Sequence, residues 1–334
     1  MPLILLTAIG KRGDARAAKE IGFAAFLSKP VRQVHLFHCL ATVMGMNPPD
    51  EHANQNEQDS QLITRYTIDE AIKHRFRILV VDDNAVNQTV LHGMLTKLGF
   101  QAECVFTGND AIRSLQELDY DLVFMDCQMP GMDGYETTRR IRDNSSTVKN
   151  HDIPVIAITA HAMKGDRKKC LNAGMNDYLT KPIDYNQLVE LMKKWTNIKV
   201  NQATAIDDHT PQQLRQGNNN HNVFNTTDLL QNLADDMELA RQLIETFLDD
   251  LPKQIDMLQQ ALENSDIQNA TRLAHGIKGA AANVNSRDLQ AIAGEMEQRG
   301  KVGRIDQLAQ LMPELSKRFD TLSIVMQQFL NSES

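Results

Sequence analysis

The stretch that decides the fold is Asp121-Leu-Val-Phe-Met-Asp126-Cys-Gln-Met-Pro-Gly-Met-Asp-Gly134. Leu122 to Met125 is a short apolar run with no polar face, the pattern of a parallel strand covered on both sides. Asp126 ends the run, and Pro130, Gly131 and Gly134 turn the chain into a loop. A carboxylate at the carboxyl end of a buried parallel strand stands where open α/β sheets place their sites. Taken alone it could equally cap a helix or a turn, so the surrounding pattern has to decide.

On either side, residues 77–196 alternate regularly. Strands are expected at Ile78–Val81, Cys104–Phe106, Leu122–Met125, Val155–Ile158 and Asp177–Leu179. Helices are expected at Val86–Leu98 (stopped by Gly99), Asp110–Leu118, Tyr135–Arg142, Lys164–Ala173 and Asn186–Trp195. Five such βα units predict a doubly wound, five-stranded parallel sheet.

Its strand ends carry a chemistry. The first ends in Asp82-Asp83, the third in Asp126, the fourth in Thr159 and the fifth in Lys181-Pro182. Three crowded carboxylates repel one another unless a cation is present, and Mg²⁺ beside a phosphate is usually held by one or two carboxylates and water. Asp126 is the natural nucleophile, since carboxylates form aspartyl phosphates. Lys181 and Thr159 supply a charge and a hydroxyl for the phosphoryl oxygens. The competing reading is a set of solvated strand-end charges.

The back half of this unit occurs twice. Pro2-Leu-Ile-Leu-Leu-Thr-Ala matches Pro154-Val-Ile-Ala-Ile-Thr-Ala, and Phe26-Leu-Ser-Lys-Pro30 matches Tyr178-Leu-Thr-Lys-Pro182, without a gap. Residues 1–46 therefore read as the C-terminal half of a second such unit, starting within its fourth strand. With the other strands missing, they are expected to be poorly ordered or to pair with another chain or segment that covers the open edge. Residues 47–75 and 198–223 are rich in Asn, Gln, Asp and Pro and read as linkers; Tyr66–His74 can form a short helix.

Beyond Phe224 there is no strand signal, and residues 224–331 read as an all-α bundle. Thr227-Asp228 can cap a short first helix. Others are expected at Met237–Leu248, Lys253–Leu262, Ser265–Ala282, Ser286–Arg299 and Ile305–Leu330. In the middle one, Ile267, Ala270, Ala274, Ile277, Ala281 and Val284 form one apolar stripe. His275 lies a quarter-turn off it, on a wet face with Arg272, Lys278, Gly279 and Ala282. A helical histidine is more often a packing or surface residue than a reactive one. Here a neutral imidazole can act as a nucleophile near neutral pH. Lys278 can offset the charge of a phosphorylated ring, and Gly279 removes bulk beside it, which suits docking against another protein's site.

Composition narrows the classes. A net charge of -8 argues against a nucleic-acid partner. Four scattered cysteines fit reduced thiols in the cytoplasm, and no apolar run has membrane-spanning length. No Gly-rich nucleotide loop is present.

Two resemblances follow from these motifs. Val80-Val-Asp-Asp-Asn-Ala-Val-Asn87, Met125-Asp-Cys-Gln-Met-Pro-Gly-Met-Asp-Gly134, Thr159-Ala160 and Lys181-Pro182 resemble a response-regulator receiver domain of the kind attached to hybrid sensor histidine kinases, a flavodoxin-like fold. The resemblance implies that Asp126 accepts phosphate, and that Asp82, Asp83, Asp126 and the Gln128 carbonyl organise Mg²⁺. It also implies that Thr159 and Tyr178 switch conformation and that Lys181 contacts the phosphoryl group. Residues 1–46 resemble the back half of another receiver, keeping Thr7, Phe26 and Lys29 but no acidic pair or acceptor.

Ala274-His-Gly-Ile-Lys-Gly-Ala-Ala-Ala-Asn-Val-Asn-Ser286 resembles a histidine phosphotransfer (HPt) domain, in which the counterpart of His275 carries phosphate. It departs from that pattern at Asn285, where glycine is usual; Asn tolerates the left-handed conformation fairly well. The implied function is a phosphorelay, fed by an upstream histidine kinase domain and emptied into a downstream response regulator. The alternatives are a non-catalytic scaffold regulating a histidine kinase, or a phosphatase using Asp126. The second lacks the further aspartate two residues on that haloacid-dehalogenase-like phosphatases carry.

Overall fold

The computed structural model describes residues 2–7, 18, 21–29, 31, 36, 39–40, 43–44, 63–64, 73, 76–159, 164–196 and 224–332. It divides into two units, Met1–Phe76 and Arg77–Ser334. In the first, β1 (Ile4–Thr7), β2 (Ala25–Ser28) and β3 (Ile63–Thr64) form a parallel sheet in that order. The stretch read as a linker thus contributes a strand. Its apolar Ile63 pairs with Ala25 on the outer side of β2 and leaves the other edge, at β1, without a described partner strand. Of the Tyr66–His74 helix only Lys73 is described, and it is helical and buried. The other expectations for residues 1–46 fall mostly outside the described residues.

The second unit begins with a five-stranded parallel sheet. Its strands are β4 (Arg77–Val81), β5 (Gln101–Val105), β6 (Leu122–Asp126), β7 (Val155–Thr159) and β8 (Asp177–Thr180), in the order β5-β4-β6-β7-β8. Every neighbouring pair is parallel. The connecting helices are α1 (Ala85–Lys97), α2 (Gly108–Glu117), α3 (Gly134–Arg142), α4 (Lys164–Asn172) and α5 (Tyr185–Thr196). Leu79, Val81, Val123, Met125, Val155 and Ala157 share one core with Ala111, Leu115 and Ile141. The alternate residues Ile78, Val80, Leu122, Phe124 and Ile156 are equally buried on the opposite face. Strand β5 starts earlier than the expected Cys104. It is an edge strand whose Gln101 and Glu103 face solvent, and their polarity hides it in the sequence.

Helices α6 (Thr226–Asn232), α7 (Met237–Glu263), α8 (Ile267–Asn283), α9 (Arg287–Lys301), α10 (Ile305–Ala309) and α11 (Met312–Ser332) complete the unit. The first begins at an Asn225 cap, two residues before the expected Thr227-Asp228 cap. The two helices expected on either side of Pro252 are one, with Pro252 inside it. An interior proline costs about 3 kcal/mol. The buried stripe runs through it from Leu243 and Phe247 to Leu251, Ile255 and Leu258, and each such side chain contributes roughly 1.5–3 kcal/mol, so continuity wins. The expected Ile305–Leu330 helix is instead two. Pro313 stands in the first turn of α11, where its missing N–H costs nothing. Asn285 takes the left-handed conformation at φ 54 and ends the α8 turn.

Gly134 fixes strand β6 from behind, because a Cβ there would collide with the Asp126 backbone carbonyl. Neither backbone can yield without moving β6 or α3. Gly134→Ala is therefore expected to lower stability by about 1–3 kcal/mol, measured by urea denaturation. Unchanged stability would show that this packing is loose.

Candidate functional site

The order β5-β4-β6 places a topological switch point at β4, and the crevice there is the expected site of an open α/β sheet. Asp82 and Asp83 leave β4 at this crevice, and Asp126 ends β6 beside them. Ligand-capable oxygens of the three lie within 4.8 Å of one another. Lys181, just beyond β8, reaches across to bridge two of them: its Nζ lies 2.8 Å from Asp82 Oδ2 and 2.7 Å from Asp126 Oδ2. The Lys181–Pro182 peptide is cis. Gln128 N donates to Asp126 Oδ1 at 3.1 Å, and Asn84 N to Asp82 Oδ1 at 3.0 Å.

Burial and the neighbouring Asp82 push the Asp126 carboxyl up to about 7 against the pull of Lys181. Asp83 is likewise raised, by burial and by Asp82. Lys181 is raised too, because the two carboxylates outweigh its own burial. The cleft is thus short of positive charge, which is the condition a hard cation relieves. Thr159, at the end of β7, is buried and gives its carbonyl to Lys181 N at 2.8 Å. The shorter sheet of the first unit repeats this bond, from Lys29 N to the Thr7 carbonyl. Tyr178 is half-buried on β8, packed against the sheet core.

The bundle closes over this cleft. His275, Arg272, Lys278 and Gly279 line one cavity of about 70 Å³ together with Asp83, Asp126, Gln128 and Lys181. His275 is accordingly 15 % exposed rather than on a wet face. Its Nδ1 lies 3.0 Å from Oε1 of Glu297 on α9, a carboxylate that also accepts from Lys278 at 3.1 Å and Lys301 at 2.5 Å. Burial alone would raise the Glu297 carboxyl, but the hydrogen bonds from His275, Lys301 and Lys278 hold it well below its usual range. An ionised Glu297 makes Nδ1 the protonated nitrogen and leaves the Nε2 lone pair free to attack. Lys278, expected to face a phosphorylated ring, is turned onto Glu297 in this state.

Several contacting residues carry no sequence signal of their own. Asn84 caps α1 with its Oδ1 and donates Nδ2 to the Gly276 carbonyl at 3.3 Å. That contact gives Gly276 a place that its position in the motif did not suggest. Asn87 donates to Asp82 at 2.8 Å and accepts from Asn283 at 2.7 Å. Leu239 of α7 packs where Gly93 leaves a gap in α1, and Lys97 donates to the Ala234 carbonyl at 2.8 Å. Gly279 faces Asn87, with ordinary van der Waals room for a Cβ. Glu297 was the main omission, since its partner His275 lies 22 residues away on another helix.

The fold and the cleft define a five-stranded parallel α/β unit with a cluster of carboxylates on its rim, joined to a histidine-bearing helical bundle. Residues 78–193 match the response regulator receiver domain family and residues 242–324 the Hpt domain family. The chain therefore carries the receiver and Hpt domains that occur together in hybrid sensor histidine kinases. It is 32% identical over 207 residues to the sensor protein GacS of Pseudomonas syringae pv. syringae, covering 61% of this chain and 22% of that protein. It is 26% identical over 315 residues to the signal transduction histidine-protein kinase BarA of Escherichia coli K12, covering 94% and 32% respectively. The chain thus spans between a fifth and a third of these relatives' lengths. Among solved structures it is similar to the receiver domain of the Pseudomonas aeruginosa sensor histidine kinase PA1611, crystallised with magnesium in its active-site cleft. That match is 44% identical and covers 36% of this chain and 98% of that one, with a TM-score of 0.34. No helix among the described residues is long and apolar enough to cross a membrane.

Glu297→Gln removes the charge that gathers His275, Lys278 and Lys301, and is expected to destabilise the chain by about 1–3 kcal/mol at neutral pH. Because the folded carboxyl is depressed, its contribution is complete above the usual carboxylate pKa of about 4.3 and is lost as pH falls toward the folded value. Wild type and variant should therefore converge in urea midpoint as the pH falls below about 4. A difference that stays constant with pH would show that Glu297 acts by packing alone.

Proposed function

We propose that this chain relays a phosphoryl group from Asp126 to His275. Asp126 receives it from the histidine of an upstream kinase domain, and His275 passes it to an aspartate of a downstream response regulator. The observation that carries the reading is the shared cavity: the buried carboxylate and the imidazole line one space of about 70 Å³. That volume suits a phosphoryl group, not a nucleotide, for which pockets of about 300 Å³ or more are usual. In the transfer the bond from an Asp126 carboxylate oxygen to phosphorus breaks as the bond from His275 Nε2 forms. Glu297 holds the Nδ1 proton, and Lys181 stabilises the carboxylate that is left.

Asp82, Asp83, Asp126 and the Gln128 carbonyl would hold Mg²⁺; their clustered oxygens and the raised Asp126 carboxyl fit a hard divalent ion. Bound there, it would neutralise charge on the phosphoryl oxygens. Thr159 and Tyr178 would carry the conformational response. Lys278, beside His275, could exchange Glu297 for the phosphorylated ring, and Gly279 lies on the docking face opposite Asn87.

On this reading residues 76–197 are the receiver and 224–331 the phosphotransfer bundle. Residues 1–46 are a partial receiver-like unit, and 47–75 and 198–223 are connecting segments. Four free thiols support a reducing, cytoplasmic setting for these domains.

Acetyl phosphate with Mg²⁺ is expected to label the wild-type chain. Asp126→Asn should abolish uptake, as should a chelator, and His275→Gln should retain label on Asp126 alone. Mixing prephosphorylated His275→Gln chain with Asp126→Asn chain tests whether transfer is internal. At micromolar concentration the mixture should transfer far more slowly than the wild-type chain, whose tethered partners meet at an effective concentration on the order of millimolar. Equal rates would place transfer between molecules, and undiminished uptake by Asp126→Asn would remove the acceptor assignment.

A further inference from the structure

Asp82 and Asp126 are both held from within the receiver, by Lys181 and by backbone amides. Asp83 differs. Its Oδ2 accepts from Nη1 of Arg272 at 3.0 Å, and Arg272 belongs to α8 of the bundle. Asp83 is also the most open of the three, with 21 % of its side chain exposed against 1 % and 5 % for Asp82 and Asp126. The bundle therefore places a guanidinium on the carboxylate that an incoming cation reaches first. The other arm of Arg272 donates to Asn269 on its own helix at 2.9 Å, which gives the guanidinium a resting place when it leaves Asp83.

We propose that Arg272 couples docking of the bundle to the occupancy of the receiver cleft: a divalent cation and the Arg272 guanidinium compete for Asp83. The inference rests on the cation site proposed above. Three carboxylates facing Lys181 and Arg272 leave one formal negative charge in the closed cleft. A divalent ion entering with Arg272 in place would turn that into an excess of positive charge, with two cations against one carboxylate at close range. It enters more readily when Arg272 withdraws. Coupling of this kind is reciprocal, so the ion must weaken docking by the same factor that docking weakens the ion.

A phosphoryl group on Asp126 reverses the balance. Forming the acyl phosphate removes one carboxylate charge and brings about two phosphoryl charges, so the ion-loaded cleft again has a use for the guanidinium. Arg272 thereby favours docking to the phosphorylated receiver. Once the group has moved to His275, the ion-loaded and now unphosphorylated cleft repels Arg272. That releases the charged histidine toward its next acceptor.

The test is Mg²⁺ binding to the full chain by calorimetry, with wild type, Arg272→Ala and Arg272→Gln. The glutamine variant keeps length and a hydrogen-bonding end in case alanine perturbs the helix. Both variants are expected to bind Mg²⁺ about fivefold more tightly than wild type, the effect of an ion pair worth about 1 kcal/mol. In small-angle scattering, Mg²⁺ should expand the wild-type chain, and acetyl phosphate added to the His275→Gln chain with Mg²⁺ should compact it again. Equal or weaker Mg²⁺ affinity in both variants overturns the coupling while leaving the cation site standing. If no chain binds Mg²⁺, the cation site fails, and the coupling fails with it.

Discussion

The interaction on which the rest depends is the bridge from Lys181 Nζ to Asp82 and Asp126. All three side chains are nearly inaccessible, and buried carboxylates without compensation would simply take up protons. One ammonium shared by two carboxylates keeps them ionisable without fully neutralising them. The geometry is demanding, because the lysine follows β8 whereas its partners end β4 and β6, with β7 between. Only a twisted parallel sheet with every strand end on one rim brings these side chains together. The backbone bond from Lys181 N to the Thr159 carbonyl sets the position of the lysine on that rim, and Gly134 lets α3 start directly behind Asp126.

The same rim is the docking surface. Asn84 caps α1 and reaches Gly276, while Asn87 holds Asp82 and meets Asn283. Side chains that order the acidic cleft are therefore the ones that receive the bundle. Helix α1 serves both purposes along its length: Val86, Val90, Leu91 and Met94 are buried, and Gly93 and Lys97 engage Leu239 and the Ala234 carbonyl of the bundle. His275 then stands between two carboxylate centres of opposite demand. Glu297 is satisfied by three cationic or N–H donors, whereas the receiver cleft still carries excess negative charge. One side fixes the ring's proton, and the other side lies across the shared cavity.

The sequence by itself determined the five alternating βα units, their parallel sheet and the helical bundle, because apolar periodicity follows directly from burial on one face or two. It also placed Asp82, Asp83, Asp126 and Lys181 at strand ends, since a charged residue terminating an apolar run can lie nowhere else. His275 was located beside its stripe, and Asn285 in its left-handed turn, for equally local reasons. Element boundaries failed where local chemistry was ambiguous. The polar edge strand β5 lacks an apolar signature, and Pro252 looks like a stop although the buried stripe runs through it.

Only the tertiary structure decided what meets what. Glu297 under His275, Arg272 on Asp83, and Asn84 and Asn87 against the bundle are contacts between segments 22 to 196 residues apart. Periodicity gives the face of a helix but not the rotation and offset at which it packs on another. Those follow from the shapes of whole surfaces, such as Leu239 entering the gap at Gly93. The pairing of Ile63–Thr64 with β2 has the same cause, because a two-residue strand exists only where a neighbouring strand offers its backbone groups.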